Sequence, residues 1–305
     1  MRKVIVTGAN GFVGAALIKE LIKNETEVIA LGREGNTDNI PESELVSFYS
    51  FDLKNVFEIK EKLTCNDIDT FYHFAWAGVS GELRSDTRLQ LDNAQWTVDC
   101  LKLSKELGCK RFIYAGSIME IETYKALFNN GNKPGAGFIY GAGKLAAHAM
   151  CKAVAAQTGV DFISAVITNA YGVGDNSSRM LNSAIKKCIS GEPPKFTAAN
   201  QNYDFVYIDD AARAFRLIGE KGKPFCEYVI GSSNAGPLKQ FLLEMKSEIA
   251  PDLDFMFGDI PFTGGNIPLK YFDCSKTEAD TGFRAEISFR EGIKRTRDWM
   301  LEENR

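Results

Sequence analysis

Short apolar runs alternate with longer amphipathic stretches through the first half of the chain. The apolar runs, rich in β-branched residues, predict strands at 3–7, 27–31, 45–49, 69–74, 110–115 and 160–167. Between them, apolar residues recur every three or four positions, which predicts helices at 12–23, 86–107 and 140–158. This alternation is typical of the α/β class, in which a doubly wound parallel sheet carries helices on both faces.

The pattern loosens after about residue 168. Shorter elements follow, interrupted by Pro193-Pro194 and Gly264-Gly265, and a charged helical pattern lies near 288–303. We therefore predict a larger domain over 1–168 and a smaller α/β domain over 169–305, with an approximate boundary and elements that can interleave. The smaller domain is expected to close over the carboxyl edge of the sheet, where open α/β folds bind their ligands.

Composition narrows the range of partners. The chain has 305 residues, 45% of them hydrophobic and 25% charged, which is the balance of a globular protein with a substantial core. Its net charge of -4 offers no basic face for nucleic acid, and no apolar run approaches the ~20 residues that span a bilayer. The first strand begins by residue 3, so we expect no secretory signal.

The cysteines indicate a reducing compartment. There are seven of them, an odd number, and no two have the spacing Cys-x-x-Cys. We therefore expect reduced thiols in a cytoplasmic protein. The seven are Cys65, Cys100, Cys109, Cys151, Cys188, Cys226 and Cys274.

Three glycines spaced by two residues follow the first predicted strand and open the first predicted helix. This order is typical of a dinucleotide site, because the glycines allow a tight turn, a close backbone approach to a pyrophosphate and close packing of the helix on the strand. The unsatisfied N–H groups of the helix then face the anion. The residues of this turn that we expect to bind the cofactor are Gly8, Asn10, Gly11, Phe12, Val13 and Gly14.

The end of the second strand bears on the choice between NAD and NADP. An acidic residue at this point binds the ribose 2′-hydroxyl of NAD, whereas an arginine accommodates the 2′-phosphate of NADP. Arg33 occupies the position and favours NADP, while Glu34 one residue later leaves NAD open.

Tyr140 and Lys144 lie four residues apart in a predicted helix and therefore share one face. A phenol with the ordinary pKa of about 10 is a poor base at neutral pH, but a neighbouring cation stabilises the phenolate. The pair can therefore move a proton on or off an alcohol oxygen while hydride leaves its carbon. Ser117, after the fifth predicted strand, can hydrogen-bond the same oxygen or serve as a helix N-cap.

Together these features resemble the extended short-chain dehydrogenase/reductase family, the group of NAD(P)-dependent epimerases and dehydratases, over nearly the whole chain. The resemblance implies a Rossmann-type cofactor domain followed by a smaller substrate domain. It implies that Ser117, Tyr140 and Lys144 are catalytic, with Lys144 also on the nicotinamide ribose. Further residues that match the family's motifs are the cofactor contacts Asp52, Leu53, Phe74 and Ala75 and the substrate contact Asn169.

Two departures from the family concern the diphosphate of a sugar nucleotide. Family members place an arginine before an Asp-Phe pair to grip this group, whereas the present chain has Tyr203 there. Val166 also replaces a common arginine at the end of the sixth strand. Either Arg179, Lys187 or Lys195 supplies the missing charge, or the substrate carries no diphosphate.

The resemblance implies hydride transfer between NADP(H) and carbon 4 of a nucleotide-activated hexose, in a 4-ketoreductase or a 4-epimerase. A 4,6-dehydratase would carry an Asp-Glu pair where Ile118-Met119 stand. The alternatives are reduction of a smaller ketone or aldehyde and a non-catalytic, NADP-sensing regulator. A homodimer is expected through the small-residue helix 141–156 and the predicted helix before it, because the family often pairs through these two helices.

Trp76 and the two histidines are the remaining candidates for residues of the functional site. Trp76 follows the fourth strand and either stacks on a sugar or nucleobase of the substrate or packs in the core. We interpret His73 and His148 as structural, and with no matching carboxylate spacing we expect no metal site. Asp209-Asp210 is interpreted as the start of a helix, where negative charge is favourable.

Overall fold

The computed structural model describes residues 1–35, 37–63, 67–131 and 133–303. Its strands are β1 (Lys3–Thr7), β2 (Glu27–Gly32), β3 (Val46–Ser50), β4 (Thr70–His73), β5 (Arg111–Ser117), β6 (Asp161–Ile167), β7 (Asn169–Tyr171), β8 (Lys195–Phe196), β9 (Asn202–Tyr203), β10 (Phe205–Tyr207), β11 (Glu227–Ile230), β12 (Gly236–Pro237) and β13 (Met256–Phe257). Its α-helices are α1 (Phe12–Lys23), α2 (Thr87–Glu106), α3 (Ile118–Leu127), α4 (Gly137–Thr158), α5 (Met180–Ile189), α6 (Ile208–Lys221), α7 (Leu238–Ile249), α8 (Ser275–Thr281) and α9 (Phe289–Glu303). Short 3₁₀ helices lie at Leu53–Glu61, Glu82–Ser85 and Leu269–Phe272.

A parallel sheet of seven strands, in the order β11-β6-β5-β4-β1-β2-β3, forms the centre of the fold. The order reverses beside β1, which is the topological switch point at which such sheets bind ligands. Each of the six predicted strands is present, with ends that agree within two residues. The predicted doubly wound α/β fold is therefore confirmed.

The two faces of the sheet are covered by different helices. Val4 and Val6 of β1 pack on one face with Leu17 of α1 and Phe215 of α6. The residue between them, Ile5, points to the other face, since side chains alternate along a strand. That second face packs against α2 and α4, which also contact each other extensively. Both layers are thus apolar on their inner sides.

The second half of the chain contributes to both the sheet and a separate core. β11 pairs with β6 in the central sheet, and α6 packs on α1. A separate apolar cluster joins residues of α5, α7 and α9 with the short pair β7 and β10. The division at residue 168 stays a prediction, with these two elements crossing it.

Two helices differ from the expectation in ways that shape the site. α3 was not predicted, and α4 begins at Gly137, so that Tyr140 lies in its first turn. The helices approach so closely at Gly141 that an added Cβ would lie 2.0 Å from Thr123 Oγ1 and 2.7 Å from the Met119 carbonyl oxygen. Glycine at this position therefore brings the start of α4 against α3, immediately beyond Ser117.

Six cysteines are free in the part of the chain that the structure describes, and Cys65 lies outside it. Within the same residues, no helix combines the length and the apolar character needed to cross a membrane.

Candidate active site

The glycine-rich turn lies at the carboxyl end of β1 and leaves no room for side chains. Gly8 has a φ of +66°, and a Cβ on it would lie 2.8 Å from the Ala75 nitrogen and 2.9 Å from the Phe74 carbonyl carbon. A Cβ on Gly14 would lie 2.3 Å from the Gly8 carbonyl oxygen. Two of the glycines are therefore required by close backbone contacts, and residues 74–75 form the opposite wall of the turn.

The start of α1 has the donors that a pyrophosphate needs. Its N-cap is Gly11, which supplies no side-chain acceptor to the first turn. The Gly11 N–H itself donates to the Gly8 carbonyl oxygen at 2.9 Å, which closes the turn. Phe12 and Val13 pack inward against the surrounding cores, so that the N–H groups rather than side chains face the ligand side. The residues present thus fit a bound dinucleotide.

The segments that follow β1, β2 and β3 carry mainly exposed polar residues. Arg33 is exposed immediately after β2, and the Asn10 carbonyl oxygen accepts a 3.0 Å hydrogen bond from the side chain of Asn39. Asp52 caps the 3₁₀ helix that follows β3, where its carboxylate accepts from the Lys54 N–H at 2.9 Å. Leu53 is half-buried against the core. All of these lie after strand ends at the carboxyl edge of the sheet.

His73 is enclosed between two threonines. Its Nδ1 lies 3.0 Å from Thr7 Oγ1 and its Nε2 lies 3.2 Å from Thr97 Oγ1. Burial lowers its pKa to about 3, with the charge of Lys144 acting in the same direction. The ring is therefore neutral and packed at the base of the site.

Ser117 and Tyr140 meet where β5, α3 and α4 converge. The Ser117 side chain acts on the Tyr140 phenol, whose ionisation it favours. Ser117 is also the N-cap of α3, and its Oγ accepts from the Met119 N–H at 3.3 Å. Burial raises the pKa of Tyr140, and the Arg84 guanidinium opposes that rise. The N-cap interpretation of Ser117 is therefore confirmed, and its hydrogen bond to a substrate oxygen stays a prediction.

Lys144 is almost fully buried, with 5% of its surface exposed. Its Nζ donates to the Ala115 carbonyl oxygen at 3.0 Å and lies 3.9 Å from the centre of the Trp76 ring. Burial lowers its pKa to about 7, while the carboxylate of Glu120 opposes the shift. The ammonium is thus fixed one turn beyond Tyr140 and is only partly charged at neutral pH.

Trp76 forms a wall of the site and is held by α2. Its indole N–H donates to Gln90 Oε1 at 2.8 Å, and the Gln90 amide donates in turn to the carbonyl oxygens of Gly78 and Leu83 at 3.1 Å. The indole meets the Tyr140 ring edge to face, with centroids 6.0 Å apart. Trp76 is half-buried, and it packs on both predicted catalytic side chains of α4.

Glu120 is a buried residue of the site that the sequence analysis did not select. Its carboxylate accepts from the Ser117 N–H at 2.8 Å and lies 2.9 Å from His148 Nδ1. The Ser117–Glu120 pair is a capping box, and the spacing Ser-x-x-Glu before an apolar stretch is a sequence signal that would have identified it.

The candidates for binding a diphosphate lie in different surroundings. Val166 is buried in β6, Lys187 is exposed on α5, and Lys195 lies 3.7 Å from Asp259. Only Arg179, among the three cations proposed, carries a charge that acts on Tyr140. Its guanidinium is held by Asp175 at 2.7 Å.

Tyr203, Asn169 and Arg84 are the remaining polar residues considered for the site. Tyr203 is half-buried, and its pKa is raised by burial and by Glu122, with Arg84 opposing. The Asn169 amide donates to the Asp204 carbonyl oxygen at 3.1 Å, which fixes β7 beside β10. Arg84, which the sequence analysis did not select, lies 4.0 Å from the centre of the Tyr140 ring.

The fold is similar to that of solved nucleotide-sugar enzymes. A UDP-glucuronic acid 4-epimerase from Bacillus cereus, solved with UDP-glucuronic acid and NAD, superposes with a TM-score of 0.78 at 19% identity over 99% of each chain. The Bordetella bronchiseptica enzyme WbmF, solved with NAD+ and UDP, superposes with a TM-score of 0.80 at 19% identity, over 99% of this chain and 93% of WbmF.

Curated relatives match over almost the full length. A putative UDP-glucose 4-epimerase of Methanocaldococcus jannaschii is 26% identical over 99% of both chains. A dTDP-4-dehydro-6-deoxyglucose reductase of Escherichia coli is 24% identical over 95% of both chains. The profile of the NAD dependent epimerase/dehydratase family matches residues 4–231, well over half of the 305 residues. With its glycine-rich turn and its Tyr140–Lys144 pair, the chain belongs to the NAD-dependent epimerase/dehydratase family, within the extended short-chain dehydrogenases/reductases.

Proposed function

We propose that this protein catalyses hydride transfer at carbon 4 of the hexose in a nucleotide sugar, with Tyr140 as the acid and base. The observation that carries the proposal is the convergence of Ser117, Tyr140 and the buried Lys144 where β5, α3 and α4 meet, at the carboxyl edge that also bears the glycine-rich turn. The names of the relatives support carbon 4, since they include 4-epimerases and a 4-dehydro-sugar reductase.

The turn at Gly8, Gly11 and Gly14 would hold the pyrophosphate of the cofactor on the N-terminus of α1. Residues 74–75 would line the next part of the cofactor, and Lys144 would donate to the nicotinamide ribose. A bound NAD-type cofactor supplies the hydride acceptor and donor at this site. Within that class we propose NADP, because Arg33 is exposed where the 2′-phosphate would lie.

The protein's own groups supply the proton. Tyr140 removes the proton of the substrate hydroxyl during oxidation and returns one to the oxygen during reduction. Ser117 hydrogen-bonds the same oxygen and orients it toward Tyr140. Trp76 excludes water from one side of the pair and fixes Lys144 through its ring. Asn169 and Arg179 would contact the substrate from the opposite side.

Epimerisation and net reduction use these same residues. An epimerase oxidises carbon 4 and reduces the opposite face without exchanging its cofactor, whereas a ketoreductase takes reduced cofactor from solution. Family members have an arginine at the position of Tyr203, where it binds the diphosphate of the sugar nucleotide. Because this arginine is absent, reduction of a smaller ketone is the alternative function.

The deciding experiment begins with the nucleotide that the purified protein retains. The protein is denatured and the released nucleotide identified, and fresh protein is then assayed with UDP-glucose, UDP-glucuronic acid and a dTDP-4-keto-6-deoxyhexose, with NADH and NADPH. Retained NAD⁺ with interconversion of a UDP-sugar identifies an epimerase and contradicts the proposed choice of NADP. An empty site with oxidation of NADPH by the keto sugar identifies a reductase. No turnover of any nucleotide sugar would contradict the proposed substrate class.

We further propose that the protein is a homodimer that pairs through α2 and α4. Leu91 of α2 is 62% exposed and Met150 of α4 is 40% exposed, and the small residues of α4 permit close helix contact. Sedimentation at micromolar concentration would test this, and a monomer would contradict it. The six cysteines that are free in the described part of the chain support a cytoplasmic location, which cell fractionation would test.

A further inference from the structure

Arg84 is held over the aromatic face of Tyr140. The carbon at the centre of its guanidinium lies 4.0 Å from the centroid of the Tyr140 ring, within the range of a cation–π contact. Its Nη1 donates to the Val79 carbonyl oxygen at 2.8 Å. The turn that carries it is narrow, since a Cβ on Gly78 would lie 2.7 Å from the Leu83 carbonyl oxygen. The cation is therefore fixed by the loop after β4.

Arg84 differs from other arginines near the site in its ionic partners. Arg179 pairs with Asp175 at 2.7 Å, and Arg88 pairs with Asp92 at 2.9 Å. Among the residues that the structure describes, no carboxylate lies within 4.0 Å of the Arg84 guanidinium. The Arg84 guanidinium is half-buried and has no carboxylate at ion-pair distance, so it can interact with a charge that forms beside it. The group beside it is the phenol of Tyr140.

We propose that Arg84 is a positioning residue whose guanidinium stabilises the phenolate formed when Tyr140 releases its proton to solvent water. In the reaction, the phenolate then takes the proton from the substrate hydroxyl, so that one O–H bond breaks and another forms. Arginine suits this role because it stays charged throughout the physiological range. The proposal rests on the acid–base role of Tyr140 proposed above.

The other charges around Tyr140 leave this role to Arg84. From α3, the Glu120 carboxylate raises the pKa of Tyr140, whereas Arg179, before α5, lowers it less than Arg84 does. Glu122 and Tyr203 act on the guanidinium of Arg84 itself.

Lys144, on α4, is directed to other groups. Its Nζ contacts the Ala115 carbonyl oxygen and the Trp76 ring, and its pKa is lowered to about 7. Above neutral pH, Arg84 is therefore the cation with the larger effect on Tyr140, ahead of Arg179.

The test compares Arg84→Met and Arg84→Lys with Arg88→Met, which removes an exposed arginine four residues away. The protein is labelled with ¹³C at the tyrosine ring carbon that bears the hydroxyl, and the Tyr140 signal is assigned with Tyr140→Phe. The signal is then titrated by NMR in protein saturated with whichever of NAD⁺ and NADP⁺ it binds more tightly. We expect the ionisation midpoint of Tyr140 to rise by about one pH unit or more in Arg84→Met, by less in Arg84→Lys and not at all in Arg88→Met.

The loss of kcat/KM should be largest in Arg84→Met, smaller in Arg84→Lys and absent in Arg88→Met. In Arg84→Met, kcat/KM near pH 7 should fall about tenfold and recover as the pH is raised, because a one-unit shift reduces the phenolate fraction tenfold. An Arg84→Met midpoint equal to that of the wild type, or a wild-type signal that never ionises, would overturn the proposal. The NMR titration needs no substrate. A shifted midpoint in a protein inactive on every nucleotide sugar would therefore overturn the proposed function alone.

Discussion

Glu120 Oε2 lies 2.9 Å from His148 Nδ1, in a buried position directly behind Ser117. The contact joins the first turn of α3 to the middle of α4. The same carboxylate also accepts from the Ser117 N–H and lies 3.4 Å from the Tyr114 hydroxyl. Tyr114 donates in turn to the Lys144 carbonyl oxygen at 2.9 Å. A single buried acid thus links the backbone of two proposed catalytic residues.

Replacing Glu120 by alanine should lower the free energy of unfolding by about 2–3 kcal/mol, because the Ser117 N–H and the His148 ring lose a buried acceptor. Urea denaturation would measure the change. The matched control is Glu227→Ala, since that carboxylate is 46% exposed and 4.0 Å from the same histidine nitrogen. Glu227→Ala should lower the free energy of unfolding by less than about 1 kcal/mol. Equal losses in the two variants would show that the buried contacts of Glu120 contribute nothing.

Tyr140→Phe should abolish turnover and leave cofactor binding unchanged. The substitution removes only the hydroxyl that exchanges the proton, whereas the ring keeps its contacts with Trp76 and Arg84. Steady-state assays and fluorescence titration with NADH and NADPH would measure the two properties. Activity within about tenfold of the wild type, well above what loss of an essential acid–base group allows, would remove Tyr140 from the mechanism.

Lys144 should give the protein without cofactor a stability that increases with pH. Its pKa falls from the ordinary 10.5 to about 7 on folding, because burial disfavours the charged form. Between these values the unfolded chain binds more protons, so the free energy of unfolding rises with pH. Lys144→Met should remove this rise and be more stable than the wild type near pH 6.

The control for that experiment is Lys152→Met, which removes an exposed lysine from the same helix. Urea titrations of the three proteins at several pH values would give the slopes. Parallel pH profiles of the wild type and Lys144→Met would contradict the predicted effect of burial.

Gly141→Ala should destabilise the protein by about 2–4 kcal/mol, since the new methyl group would overlap Thr123 and the Met119 carbonyl, in the manner of an overpacked core. Gly137→Ala, in the first turn of the same helix, places its methyl group where no atom lies within 4 Å. That control should be neutral or slightly stabilising. Thermal unfolding of the two variants would distinguish close helix packing from helix propensity.

Arg33→Ala should weaken NADPH binding by about tenfold and leave NADH binding unchanged, because only NADPH carries the 2′-phosphate that an arginine pairs with. Fluorescence titration with both cofactors would give the two dissociation constants. Equal effects on both cofactors would mean that Arg33 does not distinguish them.

The sheet was predictable because β1, β2 and β6 are continuous apolar runs, as expected for strands buried on both faces. β11 was missed because it has four residues and begins with the exposed Glu227. α3 was missed because its apolar residues do not recur on one face, since it packs on α4 through its small and polar positions as well.

The site was predictable as far as local motifs reach. The glycine-rich turn and the Tyr140–Lys144 spacing are visible in a few residues of sequence. Arg84 acts on Tyr140 only because a loop after β4 folds back over α4, and nothing in the local sequence indicates that contact. The lowered pKa of Lys144 also depends on burial by distant elements, which spacing alone does not reveal.

The packing of β11 and α6 from the second half of the chain on the central sheet has a consequence for unfolding. β6 gains its outer partner from β11, and the first face of the sheet gains Phe215 and Ile218 from α6. A fragment that ended near residue 168 would expose that face to water. We therefore expect the two halves to melt in one calorimetric transition, and protease cleavage between them to release no durable amino-terminal fragment.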